Sequence, residues 1–111
     1  MAEAFLFYAA ENVIKMKEKQ FPNMNKDDMR KDFENFNPAT APILSWEPVR
    51  AEMAESGDLG YTFGNWIIKG KDESGNIKEG YGVYVTIWKK QNDGSWKFVL
   101  DGGNSTPPPA N

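Results

Sequence analysis

A chain of 111 residues is one domain with enough material for a single core, and a net charge of −3 without a basic cluster argues against nucleic acid as a partner. The absence of Cys excludes disulfides, thiolate catalysis and Cys metal sites; the absence of His removes the commonest general base, any Ser-His-Asp triad and most zinc sites. No apolar run approaches the ~20 residues that span a bilayer. The opening MAEAFLFYAAEN is too acidic, and its apolar run too short, for a secretory signal. The expected setting is soluble: cytoplasmic, or periplasmic or secreted had a leader been removed.

Residues 2–11 are rich in helix formers, with Phe5, Tyr8 and Ala9 on a shared face, and Leu6 and Phe7 widening the apolar surface. Asn12 to Lys17 reads as a short strand, broken by Phe21-Pro22-Asn23. Asn25 can cap a second helix whose first turn holds Asp27 and Asp28, and Met29, Phe33 and Phe36 form one inward stripe along it. Asn37-Pro38 ends that helix, because the residue before proline avoids the α region, and 38–42 is a loop. From Ile43 to Glu55 the alternation of Val49, Ala51 and Met53 with charged residues favours a half-exposed strand, and Pro48 places it at an edge or a bulge.

The segment from Ser56 to Ser105 holds three antiparallel strands, roughly 59–69, 81–90 and 95–104, joined through Ser74-Gly75-Asn76 and Asp93-Gly94. The tail 106–111, TPPPAN, cannot join a sheet, so the expected domain is 1–105 with a loose end. If Asp93-Gly94 is a two-residue loop, Trp88 lies opposite Val99 and Thr86 opposite Asp101. One face then carries Tyr84, Thr86, Trp88, Val99 and Asp101, the other Val83, Val85, Ile87, Trp96, Phe98 and Leu100. A bulge at Gly94 would slip that register. The second face is apolar throughout; the first mixes aromatics with a hydroxyl and a carboxylate, as ligand pockets do. A sheet apolar on both faces must be covered on both, and the N-terminal helices suffice for one. A partner chain is the simplest cover for the other, so a homodimer through a sheet face is expected.

The segment Ser56-Gly57-Asp58-Leu59-Gly60-Tyr61-Thr62-Phe63-Gly64, with Tyr84-Val85-Thr86-Ile87-Trp88-Lys89, Asp93-Gly94-Ser95-Trp96-Lys97, Asp101 and Asn104-Ser105, resembles the nuclear transport factor 2-like superfamily, also called ketosteroid-isomerase-like or SnoaL-like. The likeness covers nearly the whole chain and points to a branch of unknown function. It implies an α+β fold, a cone-shaped curved antiparallel sheet packed on N-terminal helices, usually dimeric, with a cavity between sheet and helices. Some members isomerise, dehydrate or cyclise small hydrophobic molecules, and many only bind or scaffold. The usual first helix, which helps close the cone, is absent here; a shortened start would explain that. In the isomerase branch the base is a carboxylate near the end of the first short strand. Lys15 or Met16 stands at the matching place, so steroid-isomerase chemistry is not supported. The resemblance also makes the last-strand position of Asp101 cavity-facing.

Asp101 is the candidate catalytic residue: flanked by Val99 and aromatics it would be partly desolvated, which raises a carboxyl pKa toward acid–base use. The plainer alternative has it capping the Gly102-Gly103 turn or pairing with Lys97 or Arg50. Candidate ligand contacts are Tyr84, Thr86, Trp88, Val99 and Asp101, with Trp66, Trp46 and Tyr8 as further aromatic lining; plain core or dimer packing is the competing role for all of these. Asp58 reads as a turn residue, and Asp27, Asp28 and Asp32 as helix-start acids rather than metal ligands. No cofactor or metal is implied. The leading expectation is a dimeric domain that binds a small hydrophobic molecule. The alternatives are a lyase or isomerase using Asp101 as acid or base, and a non-catalytic dimerisation or interaction module.

Overall fold

A computed structural model describes residues 2–34, 37 and 39–109. The elements run α1 (Ala2–Tyr8), β1 (Ala9–Lys17), β2 (Gln20–Asn23), α2 (Lys26–Glu34), β3 (Ile43–Met53), β4 (Leu59–Lys71), β5 (Ile77–Lys90) and β6 (Trp96–Thr106). All six strands join one curved sheet in the order β2-β1-β6-β5-β4-β3. Neighbours are antiparallel except β1 and β6, which run parallel.

Three departures from the sequence expectations have local causes. The first helix stops at Tyr8 because Ala9 is already paired with Phe98 of β6, so Ala9–Glu11 belong to a strand. Phe21-Pro22-Asn23 does not break structure but forms part of β2, an edge strand where proline's missing N–H is tolerated. The last strand runs through Thr106, which pairs with Tyr81. Elsewhere the local signals match. Asn25 Oδ1 accepts the Asp28 N–H at 2.9 Å and Asp28 Oδ2 accepts the Met24 N–H at 3.2 Å, capping α2. Met29 is fully buried on the inner face of α2 and Phe33 packs against the same cluster. Phe36, assigned by its spacing to that stripe, lies outside the described residues, as does Pro38. Pro48 sits where the β3–β4 register shifts, on the exposed edge strand.

The β5–β6 hairpin carries the register that matters. Gly94 has φ 88°, its N–H donates to Gln91 O at 2.9 Å, and the Gln91 N–H donates to Ser95 O at 2.7 Å. This is a three-residue loop closed by a left-handed glycine, not a two-residue one. Near the turn the pairing is therefore one residue off the expected register, with Trp88 opposite Phe98. A bulge then restores it: Ile87 pairs with Leu100 and Thr86 with Asp101, leaving Val99 as the extra residue.

The packed core is small and lies at one end. Ala9, Val13, Met29 and Phe98 are buried, with Phe5, Leu6, Phe33 and Trp88 packed around them. Helix α1 packs on α2 and β6, and α2 on β1 and β2. The helices thus cover the β1–β6 side of the concave face and leave much of β3, β4 and β5 unfilled.

Candidate functional site

A cavity of about 640 Å³ occupies that unfilled region. Its walls come from α1 (Phe5, Tyr8), β1 (Lys15), β3 (Leu44, Trp46), β4 (Trp66, Ile68), β5 (Tyr84, Thr86, Trp88) and β6 (Phe98, Asp101). Strand pairing explains the convergence. Trp46 lies opposite Trp66, and Thr62, Thr86 and Asp101 form one cross-strand row. Side chains two apart on each strand share the inward face.

The cavity has depth because large rings lie flat over glycines of the next strand. A Cβ on Gly82 would fall 2.1 Å from Trp66 Cζ2, and one on Gly64 2.7 Å from the Tyr84 hydroxyl. Trp66 is held in that pose by its Nε1–H, which donates to Val83 O at 3.1 Å. Trp88 packs edge-on against Phe98 (centroids 5.5 Å apart) and against Tyr8 (6.3 Å), while Phe5 meets Trp46 at 5.9 Å. One side of the hollow is thus built from aromatic edges and faces.

The polar groups gather around Asp101. Its Oδ1 accepts the Thr86 hydroxyl at 2.8 Å, and its Oδ2 lies 3.4 Å from Lys15 Nζ. The side chains of Lys15 and Asp101 are 29% and 16% exposed, so the pair is largely withdrawn from water. Burial, and secondarily the Asp101 charge, hold the Tyr84 phenol above its ordinary pKa, keeping it a neutral hydroxyl. Glu18, at the cavity rim, is exposed and accepts the Ser105 N–H and Oγ–H at 2.8 and 2.7 Å, which lowers its pKa.

Of the candidate lining residues, Tyr84, Thr86, Trp88, Asp101, Trp66, Trp46 and Tyr8 all fall on the cavity wall. Val99 does not: as the bulge residue it is turned off the inward face, and Phe98, assigned to the opposite face, takes the place beside Trp88. The ionic partner of Asp101 is Lys15, not Lys97 or Arg50. Lys97 instead donates to Phe7 O at 2.5 Å. Lys15 escaped notice as a polar partner because it lies 86 residues from Asp101 and reaches it through the parallel β1–β6 pairing. Asp27, Asp28 and Asp32 are spent locally, on Arg30, on the helix cap, and on Asn23 with Lys17. Among the described residues no acidic cluster could hold a metal ion, and no helix is long and apolar enough to cross a membrane.

This architecture, a six-stranded open cone cradling an aromatic hollow behind two short helices, is the nuclear transport factor 2-like fold. No family model matches the sequence, and neither does any curated protein. Solved structures do. A ketosteroid isomerase-like protein from Erwinia carotovora atroseptica superposes with a TM-score of 0.78 at 12% identity, over 96% of this chain and 82% of that one. A hexachlorocyclohexane dehydrochlorinase superposes with a TM-score of 0.79 at 16% identity, over 96% and 73%. The association domain of C. elegans CaMKII gives 0.73 at 14% identity, over 94% and 79%. At these identities the likeness is one of fold.

Proposed function

We propose that this domain binds a small hydrophobic molecule in the cavity between sheet and helices, as a homodimer. The observation that carries the binding reading is a largely apolar hollow of about 640 Å³ that the chain's own side chains leave open, with one polar cluster on its wall. A solvent-filled aromatic cleft of that size gains free energy when an apolar molecule displaces its water. N-phenyl-naphthylamine, a neutral dye that brightens in apolar sites, should bind at one per chain. Thr62→Trp, which plants an indole on the cavity wall, should abolish the signal, whereas Glu73→Ser in the exposed β4–β5 turn should leave it. No dye signal in the parent protein, or an equal one in Thr62→Trp, would end this reading.

The dimer reading rests on the outer sheet face. Pairing aligns Tyr61 with Ile87 and Leu100, Phe63 with Val85, and Asn65 with Val83 and Asn104, all opposite to the cavity lining. On it Tyr61 and Phe63 are exposed and Val83, Val85, Ile87 and Leu100 half-buried, an apolar stripe edged by the exposed Asn65 and Asn104. The CaMKII association domain among the structural neighbours lends support, since such a domain is named for assembly. Val85→Glu should turn a sedimenting dimer into a monomer; a parent protein that sediments as a monomer at tens of micromolar refutes it.

A catalytic reading, a lyase or isomerase with Asp101 as acid or base, has one observation in its favour: the Thr86 hydroxyl bonds Asp101 Oδ1 on a wall that also carries the Tyr84 phenol. Titration of the Asp101 carboxyl by NMR tests it, an ordinary or low value arguing against an acid–base role.

A further inference from the structure

Charge balance at the cavity's polar end specifies the kind of head group a ligand carries there. Among the described residues three charged side chains touch the cavity: Lys15, Glu18 and Asp101. Glu18 is exposed and committed to Ser105, so water and its own hydrogen bonds screen it. Lys15 and Asp101 remain, one cation and one anion on adjacent strands, each mostly shielded from solvent. Together they present no net charge to the hollow.

Their contact is loose, and both keep spare hydrogen-bonding capacity. A charge-assisted N–H···O bond closes to roughly 2.7–2.9 Å, yet Lys15 Nζ stands 3.4 Å from Asp101 Oδ2. The ammonium has three donors and uses one on Asp101; Asp101 has Thr86 on Oδ1 and free lone pairs on Oδ2. A donor and an acceptor thus sit side by side facing an apolar chamber. An anionic ligand group would gain Lys15 but press against Asp101, and a cationic group the reverse. A neutral group that accepts and donates at once satisfies both without importing charge.

From this geometry we infer that the cavity takes a compact apolar molecule bearing a neutral donor–acceptor head, a hydroxyl or a primary carboxamide, bridged between Lys15 Nζ and Asp101 Oδ2. The inference rests on the cavity-binding reading and adds to it the chemistry of the recognised end. Lys15 and Asp101 act jointly as the selectivity element, and Thr86 fixes the carboxylate's orientation.

The test uses one apolar skeleton with three heads: adamantanemethanol, adamantanecarboxylate and adamantylmethylammonium. None absorbs where tryptophan does, and Trp46, Trp66 and Trp88 on the wall report binding through their emission. In the parent protein the alcohol should bind at least about tenfold tighter than either charged analogue, the scale of one hydrogen bond to a charged group. Asp101→Asn leaves Lys15 alone and should move the preference to the carboxylate. Lys15→Met leaves Asp101 alone and should move it to the ammonium. Because the two variants shift selectivity in opposite directions, a general loosening of the fold cannot imitate the result, and either variant suffices if the other fails to fold. Equal binding of all three heads to the parent protein, or the same order of affinities in parent and variants, overturns the inference while leaving the cavity a binding site. Failure of every analogue to bind the parent protein overturns the binding reading and this inference with it.

Discussion

Gly82→Ala is the most direct probe of how the hollow is built. A Cβ there would lie 2.1 and 2.2 Å from Trp66 Cζ2 and Cε2, and 2.4 Å from the Asn104 carbonyl oxygen, where ordinary contact begins near 3.4 Å. The carbonyl is part of β6 and cannot rotate aside, because Gly82 pairs with Ser105 in the ladder. Trp66 must therefore tilt toward the cavity, and its indole N–H loses Val83 O. Forcing a methyl into a filled space costs about 1–3 kcal/mol, and the lost hydrogen bond about 1 kcal/mol. Alanine's stiffer unfolded chain offsets roughly 0.4–1 kcal/mol of that, leaving a net loss of about 2 kcal/mol. With a urea m-value near 2 kcal/mol/M, the unfolding midpoint should fall by about 1 M at fixed protein concentration. The displaced indole should also shrink the volume open to a ligand. A midpoint within about 0.2 M of the parent, together with an unmoved Trp66 indole N–H resonance, would refute the account of glycine-supported rings.

Three further outcomes follow from named contacts. Thr86→Val removes the hydroxyl on Asp101 Oδ1 and leaves a mostly shielded carboxylate oxygen unpaired, so urea unfolding should show a loss of about 1–2 kcal/mol that Thr86→Ser restores. Asn25→Ala removes the α2 cap and should lower stability by about 1 kcal/mol, read as a melting temperature lower by roughly 4–8 °C. Asp32 is held below the ordinary carboxylate range chiefly by the Asn23 amide, with Lys17 assisting against the opposing effect of burial. A depressed folded-state pKa means that its contribution is complete above the unfolded value near about pH 4 and is lost as pH falls through the lower folded value. Stability measured between roughly pH 5 and pH 3 should therefore decline less steeply in Asp32→Asn than in the parent, and equal slopes would show that Asp32 is not a source of the acid sensitivity.

Local chemistry made much of this fold legible before any coordinates. Glycine at the two hairpin tips, asparagine before the second helix and Pro48 in edge strand β3 each act within a few residues, so short windows of sequence contain their causes. The grouping of Tyr84, Thr86 and Asp101 on one face was equally accessible, because alternation along a strand and the turn between two neighbours suffice to place them. Val99 shows the limit of that reasoning. A single extra residue at the bulge turned it away and brought Phe98 inward, and a bulge depends on how the whole sheet curves.

Other features belong to the assembled chain alone. The end of α1 at Tyr8 is decided by a parallel strand contributed from the far end of the sequence, against the helical preference of Ala9 and Ala10. The hollow exists because two short helices reach only part of a broad curved sheet, and because Trp66 and Tyr84 lie down on glycines of neighbouring strands. Lys15 meets Asp101 for the same reason: a charge pair across 86 residues is set by which strands become neighbours, a result of packing the entire sheet rather than of any local stretch.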